Sequence, residues 1–139
     1  MKVLVSACLL GENCKYSGGN NYNEKIAEFV KGKEVIPVCP EVAGGLPTPR
    51  TPAEIVNGVV TGKDGKVVDK EFRLGARRII ESIDPKEIEF AILQARSPSC
   101  GSKHIYDGTF SGKLIEGQGV FAKALCDLGI KVIDSSSFL

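Results

Sequence analysis

Five cysteines stand in a chain of 139 residues: Cys8, Cys14, Cys39, Cys100 and Cys126. Cys39 and Cys100 adjoin proline, serine or glycine, Cys8 lies two residues after Ser6, and Cys14 lies inside a segment rich in Gly, Asn and Ser. Thiols in such loops hold soft metals, as zinc ions or iron–sulfur clusters, or act as nucleophiles. A cysteine taken singly more often packs as a small hydrophobe. Cys126 has no polar or glycine-rich neighbourhood and keeps that packing role. Spacing adds little, because there is no Cys-x-x-Cys and the five residues between Cys8 and Cys14 match no zinc-knuckle pattern. The odd count argues against a closed set of disulfides.

Other side chains near these thiols carry chemistry of their own. Glu41 follows Cys39 by two residues on a proline-stiffened backbone, where it can serve as a general base or acid. Its bland alternative is a helix cap or a surface carboxylate. Ser97 and Ser99 can donate to an anionic ligand, and the N–H groups around Cys100, Gly101 and Ser102 can form an anion nest. Serines in such turns more often satisfy backbone groups. Arg50 and Arg96 can clamp a carboxylate or phosphate, with solvent exposure as the default. His104, the lone histidine, has no partner at metal spacing and reads as a surface or supporting residue. Gly44-Gly45 is not a phosphate loop, since no Gly-Lys-Ser/Thr follows.

The elements that must position these residues follow from periodicity. Lys2 to Ser6 and Glu34 to Val38 read as strands, the first opening at Cys8 and the second ending at Cys39-Pro40. Between them Asn23 caps a helix from Glu24 to Lys31, giving a parallel β-α-β unit. A loop rich in Gly and Pro runs from Glu41 to Pro52. Val59-Val60-Thr61 and Lys66-Val67-Val68 flank an Asp64-Gly65 turn and predict a small antiparallel flap. Asp69 caps a helix to about Ser82, burying Phe72, Ala76, Ile79, Ile80 and Ile83. Ile88 to Ala95 is a core strand ending in Arg96-Ser97-Pro98-Ser99-Cys100-Gly101. Tyr106 to Gly112 is turn-rich, Gln118 to Leu128 is a helix with Phe121, Leu125 and Leu128 inward, and Lys131 to Ile133 is the last strand, with Gly129 as the helix stop.

The expected fold is a single α/β domain over residues 1–139, with three α/β/α layers around a mainly parallel sheet of about four strands and a small β-hairpin flap. Such sheets bind ligands in the crevice at the carboxyl ends of their strands. Cys8, Cys39 and Cys100 all fall at that edge, and this convergence outweighs their distance in sequence.

Composition narrows the setting. Apolar residues make up 42% and charged residues 25%, enough to build a core and far from a disordered composition. The net charge of +1 supplies no field for nucleic acid or an anionic membrane. No apolar run approaches the ~20 residues of a membrane span. Val5-Ser6-Ala7-Cys8 mimics a lipoprotein cleavage box, but too few residues precede Cys8 for a signal segment. A cytoplasmic setting, where thiols stay reduced, is the expectation.

Several motifs, in order, resemble one family. They are Ser6-Ala7-Cys8-Leu9-Leu10-Gly11 with Cys14 and Lys15-Tyr16-Ser17-Gly18-Gly19; Cys39-Pro40-Glu41 with Gly44-Gly45-Leu46 and Pro49-Arg50; Ser97-Pro98-Ser99-Cys100-Gly101; and Ile105 through Gly112. Together they resemble the DUF523 family over essentially the whole chain. Ser17 and Lys15 are small departures, at positions where the family more often carries an acidic residue and arginine. The resemblance implies a thiouracil desulfidase with a [4Fe–4S] cluster held by three cysteines, which leaves one iron free for the sulfur of a thiolated base. It implies Cys8, Cys39 and Cys100 as ligands, with Cys14 as an alternative to Cys8, a fourth ligand or a guard of the open iron. It implies Glu41 as the proton-transfer carboxylate, Ser97 ahead of Ser99 as its partner, and Tyr16, Gly44, Gly45, Arg50 and Ser102 as substrate-binding residues. Water deprotonated by the carboxylate would attack the C=S carbon without electron transfer, leaving the oxo base and sulfide. The expected partners are a small thiolated base or nucleoside and the cluster-assembly machinery, and the cluster is of a kind that handling in air can remove. A structural zinc site and a cluster-free thiol or persulfide protein are the competing readings.

Overall fold

The computed structural model describes residues 1–139. Strand β1 (Lys2–Ser6) is the centre of the protein. Val3, Leu4 and Val5 are wholly buried, and their alternation sends Val3 and Val5 to one face and Leu4 to the other. A strand buried on both faces needs helices on both sides. β2 (Glu34–Val38), β5 (Ile88–Leu93) and β8 (Val132–Asp134) join it in the order β2-β1-β5-β8, every pair parallel.

On one face lies α1 (Glu24–Phe29), whose Ile26, with Val30, packs on Val3, Val5 and Ile92. Asn23 caps it, its side-chain oxygen accepting the Ile26 N–H at 3.1 Å. On the other face α3 (Asp69–Glu81) and α4 (Val120–Asp127) bring Ala76, Ile79, Phe121 and Leu125 against Leu4, Ala91 and Leu93. The three expected layers are present.

Smaller elements depart from the expectations. The segment after Cys39 starts with a helical turn, α2 (Pro40–Ala43), with Cys39 as its N-cap and Pro40 in its first turn. The flap pairs β3 (Ala53–Val56) with β4 (Val59–Gly62) around Asn57-Gly58, both in the left-handed region. Asn-Gly is the stronger hairpin signal, and the expected second strand at residues 66–68 keeps only a single bridge, Thr61 to Val67. A second hairpin, β6 (His104–Tyr106) with β7 (Leu114–Glu116), encloses the turn-rich segment. Asp69 is not the cap of α3; Val68 is, and Asp69 spends its carboxylate on the Val60 N–H and on Arg73. Leu128 and Cys126 are exposed, because α4 ends at Asp127 and turns only Phe121, Ala122 and Leu125 to the core.

Two glycines set the distance between α2 and α3. A Cβ on Gly75 would lie 1.7 Å from the Pro40 carbonyl oxygen, and one on Gly44 would lie 1.9 Å from the Glu71 carbonyl oxygen. The helix backbones therefore touch, and this contact fixes the segment that carries Cys39 and Glu41.

Candidate active site at the carboxyl edge of the sheet

The chain leaves β1 for β2 on one side and continues to β5 on the other, so the crevice of this sheet opens between β1 and β5. A cavity of about 670 Å³ lies there, and Cys8, Cys14, Cys39 and Cys100 all line it. Each reaches it by a separate device. Cys8 sits on the single helical turn Ala7–Leu10 that follows β1, closed by Gly11 at φ 97°. The loop beyond folds back so that Asn21 donates its backbone N–H to the Cys8 carbonyl at 2.9 Å and its side-chain amide to Cys8 Sγ at 3.4 Å. Cys39 gains its place as the cap of α2. Cys100 ends a tight turn in which Ser97 Oγ accepts the N–H groups of Ser99 and Cys100, each at 3.1 Å. The first amides of α4 hold the same turn, Val120 on the Pro98 carbonyl and Phe121 on that of Ser99.

Glu41 joins these segments. It is buried, and its Oε1 accepts a short hydrogen bond from Ser99 Oγ. Its Oε2 lies 3.3 Å from Cys39 Sγ and 3.8 Å from the Arg50 guanidinium. Ser99 Oγ is 2.9 Å from Ser97 Oγ and 3.5 Å from Cys100 Sγ. A continuous polar chain thus runs from Ser97 through Ser99 and Glu41 to Cys39. Ser99, rather than Ser97, touches Glu41; Ser97 stands one hydroxyl further along and lines the cavity. The order expected between the two serines is reversed at the carboxylate, because Ser97 Oγ is engaged in closing the turn.

Burial pushes the Cys8 and Cys14 thiols up. It does the same to Cys39 and Cys100, with the negative charge of Glu41 adding to it, and Cys100 is pushed up to about 12. A set of buried thiols around a carboxylate holds its anionic form only beside a cation. The donors are soft, which fits a thiophilic metal centre. No three of the chain's His, Cys, Asp or Glu side chains lie close enough to hold a single metal ion.

Residues 3–137 match the family described as 2-thiouracil desulfurase. The chain belongs to that family. An uncharacterised protein of Bacillus subtilis strain 168, YbbK, is 40% identical over 96% of this chain and 95% of its own length. Among solved structures, a [4Fe–4S]-dependent thiouracil desulfidase, TudS, superposes with a TM-score of 0.90 at 38% identity, covering 98% of this chain and 91% of the other. The DUF523 resemblance read from the motifs and the α/β fold are those of this family.

Within this desulfurase-family chain, not every expected substrate residue reaches the cavity. Tyr16 and Arg50 line it. Arg50 departs from default exposure, its side chain being only 11% exposed, and it donates to the carbonyls of Cys14 and Pro47 and to Thr48 Oγ1. Those bonds make it a fastening for two loops and a counter-charge for Glu41. Gly44 and Gly45 stand off the cavity wall: Gly44 serves the contact with α3, and Gly45, at φ 92°, turns the chain out of α2. Ser102 points away to Asp134 at the end of β8, 3.1 Å distant. Arg96 is exposed at the cavity rim, and His104 is exposed on β6. Sequence reading missed Asn21, whose only signal was its place in an Asn-rich loop, and the wall formed by Glu54, Tyr106 and Phe110. No helix is long and apolar enough to cross a membrane.

Proposed function

We propose that this chain is an iron–sulfur-dependent desulfidase that converts C=S to C=O in a thiolated nucleobase or related small thio-compound. The observation that carries this reading is the meeting of four thiols and one buried carboxylate in a single cavity at the crevice of the sheet. Cys8, Cys39 and Cys100, from the ends of three neighbouring strands, hold a [4Fe–4S] cluster. Cys14 is the alternative to Cys8 as third ligand, and its carbonyl is fastened by Arg50. When bound, the cluster supplies an iron without a protein ligand, a soft Lewis acid for the substrate sulfur.

The chain's own residues do the rest. Glu41 takes a proton from water at Oε2, the oxygen not engaged by Ser99, and the hydroxide so generated adds to the thiocarbonyl carbon. Ser99 fixes the carboxylate through Oε1, and Arg50 balances its charge from 3.8 Å. Ser97, at the wall, supports Ser99 through the hydroxyl contact at 2.9 Å and so extends the chain that holds Glu41 in place. Loss of sulfur yields the oxo base and sulfide, with water consumed and no net electron transfer.

The thiol-based alternative needs a cysteine with a depressed pKa. The surroundings push all four cavity thiols the other way. The test is anaerobic turnover of 2-thiouracil, followed as uracil and sulfide, in wild type and two variants. Glu41→Gln should keep the iron and lose turnover by on the order of a hundredfold or more, and near-normal turnover would remove Glu41 as the base. Cys14→Ser should keep its iron, and iron loss there would make Cys14 the third ligand.

A further inference from the structure

Phe110 stands at the wall of the cavity in a backbone conformation that a bulky residue rarely adopts, φ 58°. Asp107 Oδ1 steadies the turn from within by accepting the Thr109 N–H, and a carboxylate from another strand grips it from outside. Glu54 Oε1 accepts the N–H of Gly108 at 3.0 Å and that of Phe110 at 3.1 Å, crossing from β3 to the β6–β7 turn. The turn is pressed tightly on the same strand, since a Cβ on Gly108 would meet the Ile55 carbonyl at 2.7 Å. Strained backbone that is pinned by a side chain beside a cavity points to a side chain whose direction matters there. Phe110 makes no ring contact with the protein's other paired aromatics, Phe29, Phe90 and Phe138. Tyr106, from the same hairpin, lines the cavity as well.

We propose that Phe110, aimed by Glu54, is the stacking platform for the planar ring of the substrate, so that the site selects heteroaromatic thiocarbonyls. This rests on the desulfidase reading. A planar, polarisable ring gains from an aromatic face whatever its ring substituents, and an open-chain thioamide gains far less. Glu54 is a positioning residue in this account, acting only through the turn it grips.

The test uses cluster-loaded protein and 2-thiouracil. Phe110→Ala should raise KM on the order of tenfold to a hundredfold, with a much smaller change in kcat. Phe110→Tyr should restore KM, whereas Phe110→Leu, which keeps apolar bulk, should not. Glu54→Ala should raise KM as Phe110→Ala does, and Glu54→Gln, which keeps the accepting oxygen, should recover most of it. Visible absorption and melting temperature check that each variant is folded and loaded. An unchanged KM in a loaded Phe110→Ala protein, or rescue by Phe110→Leu, overturns the stacking role and leaves the desulfidase reading intact. Failure of loaded wild type to release sulfide from 2-thiouracil overturns both.

Discussion

Gly75→Ala tests how the fold positions the chemistry without touching any reactive group. The new Cβ would lie 1.7 Å from the Pro40 carbonyl oxygen, and contacts under 3.0 Å are essentially never seen. The backbones of α2 and α3 must therefore part by more than about 1 Å along that line. Overpacking of this kind costs about 1–3 kcal/mol. Removing a glycine from a helix interior returns up to about 1 kcal/mol. The net loss of up to about 2 kcal/mol corresponds to a fall in melting temperature of up to roughly 10 °C for a chain of this size. Because Cys39 and Glu41 ride on α2, the same shift should lower kcat/KM by on the order of a hundredfold. Thermal unfolding followed by circular dichroism, with turnover of loaded protein, reads both effects. A variant that melts at or above the wild-type temperature with unchanged turnover would refute the claim that this contact holds the site in place.

Other expectations follow from the same geometry. Arg50→Lys should cut turnover at least tenfold while keeping the charge, because an ammonium cannot span Cys14, Pro47 and Thr48 together; equal turnover would show that charge alone matters. Asn21→Ala removes the donor to Cys8 Sγ and should speed loss of iron to a chelator in air, and an unchanged loss rate would end the claim that this amide steadies Cys8. For Asp69, desolvation opposes ionisation, but Arg73 and the Val60 N–H outweigh it and hold the carboxyl below its ordinary value. A lowered folded pKa contributes stability that is present above about pH 4 and is lost as pH falls through the folded value. Asp69→Asn should accordingly lower stability by under about 2 kcal/mol at pH 7 and much less near pH 2 in denaturant titrations. The same loss at both pH values would contradict the assignment.

What the sequence made legible was what repeats along it. β1, β2 and β5 announce themselves through apolar runs, and the three strand-end cysteines follow from the parallel order of those strands. The hairpins are short, and β7 is exposed throughout, so no alternation marks it. At the flap two turns compete: the paired strands lie around Asn57-Gly58, while Asp64-Gly65, with Gly65 at φ 87°, also turns the chain but leaves only the Thr61–Val67 bridge beyond it. Contacts between distant segments leave no local trace. Ser99 meets Glu41 across 58 positions, and only the fold brings them together. Gly44 read as part of a substrate loop because sequence does not tell a glycine that admits a ligand from one that admits a neighbouring helix.

The proposal that Cys8, Cys39 and Cys100 hold an iron–sulfur cluster is tested by the iron content, acid-labile sulfide and visible absorption of protein purified without oxygen. The expected result is a coloured protein with about four irons per chain, a broad visible absorption, and loss of both in Cys39→Ala. Colourless protein that also resists reconstitution with iron and sulfide, or a Cys39→Ala variant with an unchanged spectrum, would contradict it.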